Sequence, residues 1–395
     1  MNAAGGALAL FCLALPVSIA GTNIAAGLLT ALLLRGALRA EMAPWEKLKS
    51  PALYALLAYC AAAALSALLG VDPGNSLGAL LKDLHKVWIL SLFLVFLSLM
   101  PSPSVSKPLA AAFGAMAFLG LYQVATERTG DTAWVRAHGF VHPVTYGEQM
   151  TLAFLGGLCF LGSREGAKGK ALGWGFLGLI GLALVLNQTR GAFLGLAAGF
   201  AALCRLERSF RPWALRAAGT ALGVLIFWEL MPTGGRSLHE LAQKPELWYA
   251  GGQLNPYLAR YSLWKAALEI FRDHPWAGVG PGNYRMVFAD YFQGSIDNES
   301  VWGSAHNLYL HHLAERGLLG MTGLALALGV LTATAWKRAR QKPNPWNLWA
   351  ASALVAFLVM NLTEVAFQNE QVTTLVLFLW AWAEANRSAP AWQKL

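Results

Sequence analysis

Long apolar runs, separated by short polar or basic stretches, fill this chain and constrain its fold before any motif is read. Twelve of them fall near 4–19, 22–37, 51–70, 83–100, 107–126, 145–162, 171–187, 190–205, 213–231, 305–335, 346–366 and 371–387. A bilayer core takes about 20 helical residues, and lipid admits only helices or closed barrels because the backbone finds no water there. The runs lack the alternation of barrel strands. They predict an all-α, polytopic integral membrane protein with about 12 transmembrane helices. Composition agrees, with 56% hydrophobic and 13% charged residues and a mean hydropathy of +0.46. The first two runs fit either a tight hairpin or a kinked single span, since Pro16 and the SIAGTN stretch lie between them. No basic leader or small-residue cleavage site opens the sequence, so no removable signal peptide is expected.

Charge orients the spans. With both termini cytoplasmic, the inner segments hold eighteen of the 30 basic residues and five acids, Glu41, Glu46, Glu165, Glu207 and Glu384. The net charge of +9 is thus a topology signal under the positive-inside rule, and no nucleic acid partner is needed to explain it. Residues 1–231 then hold spans one to nine, 232–304 form a large periplasmic loop, and 305–395 hold the last three spans. Helices are expected in the loop around SLHELAQ, across NPYLARYSLWKAALEIFRDHP and around NYRMVFADYFQ. Cys12, Cys60, Cys159 and Cys204 lack metal or disulfide spacing and read as packing residues.

Polar residues gather at one side. Asn187, Gln188, Thr189 and Arg190 mark one outer turn, and Asn361, Glu364, Gln368, Asn369 and Glu370 another. Helix midsections read as almost free of ionisable groups. A transporter needs polar sites near the midplane, so this one-sided polarity favours an enzyme at the outer membrane face.

Three blocks resemble a known family. NQTRGAFLGL at 187–196, RYSLWKAALEIFRDHPWAGVGPGNY at 260–284 and SAHNLYLHHLAERGLLG at 304–320 look like the successive blocks of the O-antigen ligase and polymerase superfamily. The likeness covers about 130 residues; the first 180 or so resemble the family only in hydropathy. It implies a GT-C-like fold in the bacterial inner membrane and a metal-independent, inverting glycosyltransferase acting on the periplasmic face. The implied donor is a glycan on undecaprenyl diphosphate and the implied acceptor a sugar hydroxyl of lipid A core. No cofactor is implied. A polymerase would use the same donor, and a lipid or glycan transporter is the alternative from another class. Relatives that glycosylate proteins typically extend further past the last span, which counts against them.

The residues supply matching chemistry. A departing diphosphate gathers negative charge that a divalent cation or guanidinium groups must offset. No DxD or HExxH faces outward, and Asp290, Asp297 and Glu299 make a poor cage, so no metal site is expected. Arg190 fits either a snorkelling anchor or a diphosphate ligand, with Gln188 beside it. Arg260 fits either a solvated helix residue stacked on Trp264 or a second phosphate contact. The resemblance selects the phosphate role for both. At about 100° per residue His306 shares a helix face with Leu310, Leu313, Gly317 and Gly320. A histidine at a helix start is ordinarily an anchor. The resemblance makes His306 the catalytic candidate, able to accept the acceptor hydroxyl's proton, with Asn307 beside it as a substrate contact. His311 with Glu315 and His312 with Arg316 are spaced as pairs dressing a polar helix flank. Arg136, His138 and His142 lie in an outer loop before span six and fit either a donor or acceptor groove, with Arg136 and His138 as substrate contacts, or ordinary solvated loop positions, and GVGPGNY reads as a simple turn between outer helices.

Overall fold

The computed structural model describes residues 3–38, 45–99, 105–127, 135–162, 166–213, 256–292 and 303–385, with isolated positions between 216 and 226. Most of these residues are helical, with no strand among them. The helices are α1 Ala3–Ala14, α2 Ile19–Leu38, α3 Pro51–Leu69, α4 Pro73–Leu99, α5 Ser106–Thr126, α6 Pro143–Leu161, α7 Gly166–Asn187 and α8 Arg190–Leu206. After them come α9 Pro256–Asp273, α10 Tyr284–Tyr291, α11 Leu308–Gln341, α12 Pro345–Met360 and α13 Glu370–Ala385. Proline opens five of them, where its missing N–H costs nothing. Five helices, α2, α3, α5, α7 and α11, are long and apolar enough to cross a membrane; α1 and α12 are shorter apolar helices. The expected ninth span, the SLHELAQ helix, Asp297 and Glu299 lie outside the described residues.

Hydrogen bonds gather alternate helix ends at one end of the bundle. The Gln371 side chain donates to Leu15 O at 3.5 Å, Asn369 Nδ2 to Thr145 Oγ1 at 2.6 Å, and the Leu308 N–H to Asn361 O at 2.9 Å. Val71 N donates to Val279 O at 2.9 Å, and Ala137 N to Leu186 O at 3.2 Å. These are the boundaries that hydropathy placed on one side. The start of the chain is a hairpin, because α1 and α2 are separate helices packed on each other.

Packing uses large rings and small residues in turn. Phe11, Phe93 and Phe378 join α1, α4 and α13 with centroids 4.8 to 5.5 Å apart. On α8, Gly191, Gly195 and Gly199 recur every four residues, a spacing that lets helix backbones approach closely. A Cβ on Gly195 would stand 2.3 Å from Met360 Cγ, and one on Gly199 3.0 Å from Ser352 O. This seam presses α8 onto α12 and so brings the α7–α8 turn beside the α12–α13 turn.

The long helix α11 departs from the sequence reading. Gly317 has φ 57° and ψ −161°, which breaks α11 into a segment of about 13 Å and a span of about 36 Å at ~1.5 Å per residue. The GVGPGNY region fills the break. Val279 N and Gly280 N donate to Ala314 O and Glu315 O, while Leu318 N and Leu319 N donate to Pro275 O and Trp276 O. Backbone groups freed by the break are thereby satisfied without water. A Cβ on Gly317 would lie 2.5 Å from the Trp276 backbone, so glycine is needed there for space as well as for φ. The uninterrupted 305–335 helix is therefore corrected, and GVGPGNY is more than a turn between outer helices.

α4 is also longer than expected, starting at Pro73 rather than near Asp83. The part of α4 that hydropathy did foresee carries charge that the fold buries. Asp83 accepts from Lys86 Nζ at 2.8 Å, Tyr59 OH at 3.1 Å and Arg316 Nη2 at 3.1 Å. Arg316 Nη1 donates to Glu315 Oε2 at 3.0 Å, and His311 Nε2 lies 3.4 Å from the same oxygen. Glu315 Oε1 accepts the N–H of Gly282 at 2.8 Å, and His312 Nε2 meets Tyr59 OH at 3.1 Å. The expected His311–Glu315 pair is present. The expected His312–Arg316 pair is not, and all four residues are buried rather than on a solvated flank.

Candidate functional site

At the gathered end, four segments meet. The first is the α7–α8 turn. Asn187 is fully buried, and its Nδ2 donates to Ala137 O and Pro143 O, both at 2.7 Å. Arg136 Nε donates to Asn187 O at 2.8 Å and its Nη2 to Thr189 Oγ1 at 2.6 Å. Gln188 takes φ 59°, which reverses the chain in two residues. Arg190 then opens α8, and a Cβ on the next residue, Gly191, would stand 2.2 Å from Thr363 Oγ1. Arg190 is thus held beside the α12–α13 turn.

That turn supplies the residue on which the site converges. Glu364 Oε1 accepts from Arg260 Nη2 at 2.9 Å, and Glu364 Oε2 lies 3.1 Å from His306 Nδ1. One carboxylate therefore holds a guanidinium from α9 and an imidazole from just before α11. The Glu364 side chain is 7% exposed, whereas Arg260 and His306 keep 34% and 30%.

His306 does not sit on the helix. It has φ 46° and precedes Asn307, the N-cap of α11, so the shared face with Leu310 and Gly317 is corrected. Among the described residues only Gln188 and His306 are non-glycines with positive φ. Such backbone costs on the order of 1 kcal/mol or more, and it concentrates at functional sites. Both strained residues here border the same cluster.

The remaining expected residues divide. Asn307 spends its side-chain oxygen on capping, accepting from Tyr309 N at 3.0 Å and Leu310 N at 3.1 Å. Arg136 braces the α7–α8 turn, and His138 Nε2 lies 3.8 Å from Glu127 Oε2, on a partner outside the cluster. The buried Trp264 Nε1 has no hydrogen-bond partner among the described residues. His142 caps α6, with its Nδ1 accepting from Val144 N at 3.3 Å. Burial holds its pKa below the usual histidine value. Arg136 and His306 add to that depression and Glu364 opposes it. No group of three His, Cys, Asp or Glu side chains placed to hold a metal occurs among the described residues.

The chemistry follows from charge and geometry. With its Nδ1 facing the Glu364 carboxylate, His306 is held as the tautomer whose acceptor nitrogen is Nε2. Arg260 and His306 share the Glu364 carboxylate, Glu148 lies within electrostatic reach of it, and Arg136 and Arg190 belong to the α7–α8 turn beside it. Sequence reasoning saw Glu364 as one of several polar residues in a turn. A stronger signal was present, since an acid between two apolar runs must have a partner.

The fold and site define a helical membrane protein with a partly open polar cluster at one end of its bundle, built around a histidine held by a carboxylate. The family model described as O-antigen ligase matches residues 175–325, which bears out the resemblance carried by the three blocks. The match contains Arg190, Arg260 and His306 and stops before Glu364. No curated protein matches the chain.

Proposed function

We propose that this protein is an inverting, metal-independent glycosyltransferase, an O-antigen ligase that works on the periplasmic face of the bacterial inner membrane. Both termini are then cytoplasmic, and about 12 spans carry the large periplasmic loop. The observation that carries the reading is the Glu364 carboxylate, which draws Arg260 and His306 together beside the Arg190 turn.

In this reading the donor is a glycan on undecaprenyl diphosphate, and its diphosphate lies against Arg190 and Arg260. A hydroxyl of lipid A core attacks the anomeric carbon from the opposite side. As the new C–O bond forms, the bond to the diphosphate breaks and its electron pair leaves with the phosphate oxygen. The hydroxyl proton passes to His306 Nε2, and Glu364 stabilises the imidazolium that forms. The arginines oppose the charge that grows on the leaving group, and they hold it better in the transition state than in the bound donor.

The test is transfer by purified protein in detergent, with lipid-linked donor and lipid A core as the sole acceptor. Core-linked product in excess EDTA is expected. EDTA inhibition reversed by manganese contradicts the arginine mechanism. The family match favours one further reading, a polymerase with the same donor. Elongation of donor glycan without core would select it. A requirement for ATP or an ion gradient would select a transporter.

A further inference from the structure

The far end of α11 carries a second binding feature, unrelated to the His306 cluster. A groove of about 730 Å³ runs between the second half of α11 and α12. Gly329, Ala333 and Leu358 line its length, and Trp336, Lys337 and Arg340 stand toward its end. From Gly329 to Arg340 it extends about 16 Å at ~1.5 Å per residue, room for most of an acyl chain.

The basic residues of this helix end are not equivalent. Arg338, on another face, is buried, paired with Glu384 and stacked 4.4 Å above the Trp380 ring. Lys337 and Arg340 are exposed, and neither has a hydrogen-bond or ion-pair partner among the described residues. Two unneutralised cations thus border an apolar trough, with a tryptophan at the level where indoles favour the membrane interface. Such a trough is unfavourable in water and fits a lipid tail. The cations fit a phosphate.

We infer that this groove binds one anionic phospholipid of the leaflet opposite the His306 cluster, its tail along Gly329, Ala333 and Leu358 and its phosphate between Lys337 and Arg340. The inference rests on the chain spanning a membrane and not on the glycosyltransferase reading. Lipid phosphate, not free phosphate, is the ligand because the trough is almost wholly apolar.

Native mass spectrometry of the full chain in mild detergent tests it, with dioleoyl phosphatidylglycerol and dioleoyl phosphatidylcholine as probes. Wild type is expected to retain a single phosphatidylglycerol with roughly 30-fold preference over phosphatidylcholine, the combined pull of two cations. The Lys337→Gln/Arg340→Gln double variant should lose that preference while staying folded, since both residues are exposed and unpaired. Gly329→Phe should lose the bound lipid of either kind. A Cβ there meets nothing within 4 Å, so the ring fills the groove without straining the fold. Equal retention of the two lipids by wild type, or an unchanged preference in the double variant, overturns the inference. So does displacement of the lipid by millimolar inorganic phosphate, which would mark a free-anion site.

Discussion

The short segment that opens α11 has a polar cluster at each end, and the two use the same residue types differently. At its start His306, Arg260 and Glu364 form a cluster whose arginine and histidine are about one-third exposed. At its end Arg316, Asp83, Glu315 and Lys86 form a network in which no side chain exceeds 7% exposure. The sealed network balances two cations with two carboxylates. The open cluster sets Arg260 and His306 on the Glu364 carboxylate, with the α7–α8 turn of Arg136 and Arg190 beside it. Buried charges persist only when paired and hydrogen-bonded, so completeness marks a structural role. A guanidinium and an imidazole left partly exposed on one carboxylate are what the proposed transfer needs, a contact for an anion and an acceptor for a proton.

Breaking the open cluster should produce the largest effect on turnover. Glu364→Gln keeps the shape but removes the charge that orients His306, so transfer should fall by roughly 10²–10⁴-fold, with the protein folded by thermal unfolding. Wild-type transfer by this variant would reduce Glu364 to a scaffold residue.

Breaking the sealed network should act on stability. Arg316→Met leaves Asp83 and Glu315 buried without their guanidinium, and about 3–5 kcal/mol should be lost, read as a lower unfolding midpoint in detergent. An unshifted midpoint would mean that the carboxylates find water in this end of the bundle.

A gentler cut separates the two further. His312→Ala removes the ring that meets Tyr59 OH and Leu308 O, and about 1–3 kcal/mol of stability should go with it. A solvated flank residue, as the sequence suggested, would give no change.

The smallest effect concerns pH. His142 has its folded pKa below the unfolded value, so the unfolded state takes up protons first as pH falls. Its contribution is complete above about pH 6.5 and is lost as pH drops through the lower folded pKa. The unfolding midpoint should therefore fall between pH 7 and pH 5. His142→Asn, which retains a capping side chain, should fall less. Equal slopes would remove His142 from the account.

Local signals were legible in the sequence. Hydropathy located most of the helices, and the three ordered blocks pointed to Arg190, Arg260 and His306. The every-fourth glycines of α8 stand in the sequence, but only the structure shows that they meet α12. Less legible was whatever depended on distant pairing or on a backbone break. Asp83 and Arg316 are 233 residues apart, and no local spacing joins them. A helical wheel carried from His306 through Gly317 assumed a single helix, whereas His306 precedes the cap and Gly317 ends the first segment. The i,i+4 spacing of His311 with Glu315 and of His312 with Arg316 read as a polar flank, whereas all four residues are buried.

Donor binding by two variants tests the central claim most directly, because it separates the roles that the open cluster assigns. His306→Ala should bind the lipid diphosphate donor within about twofold of wild type, since in this account the imidazole serves the acceptor hydroxyl. Arg260→Lys loses the bidentate guanidinium and should bind it roughly tenfold or more weakly, in line with a lost charged hydrogen bond of about 1.5–3 kcal/mol. Equal donor affinity in the two variants, or loss of donor binding in His306→Ala alone, would contradict the account.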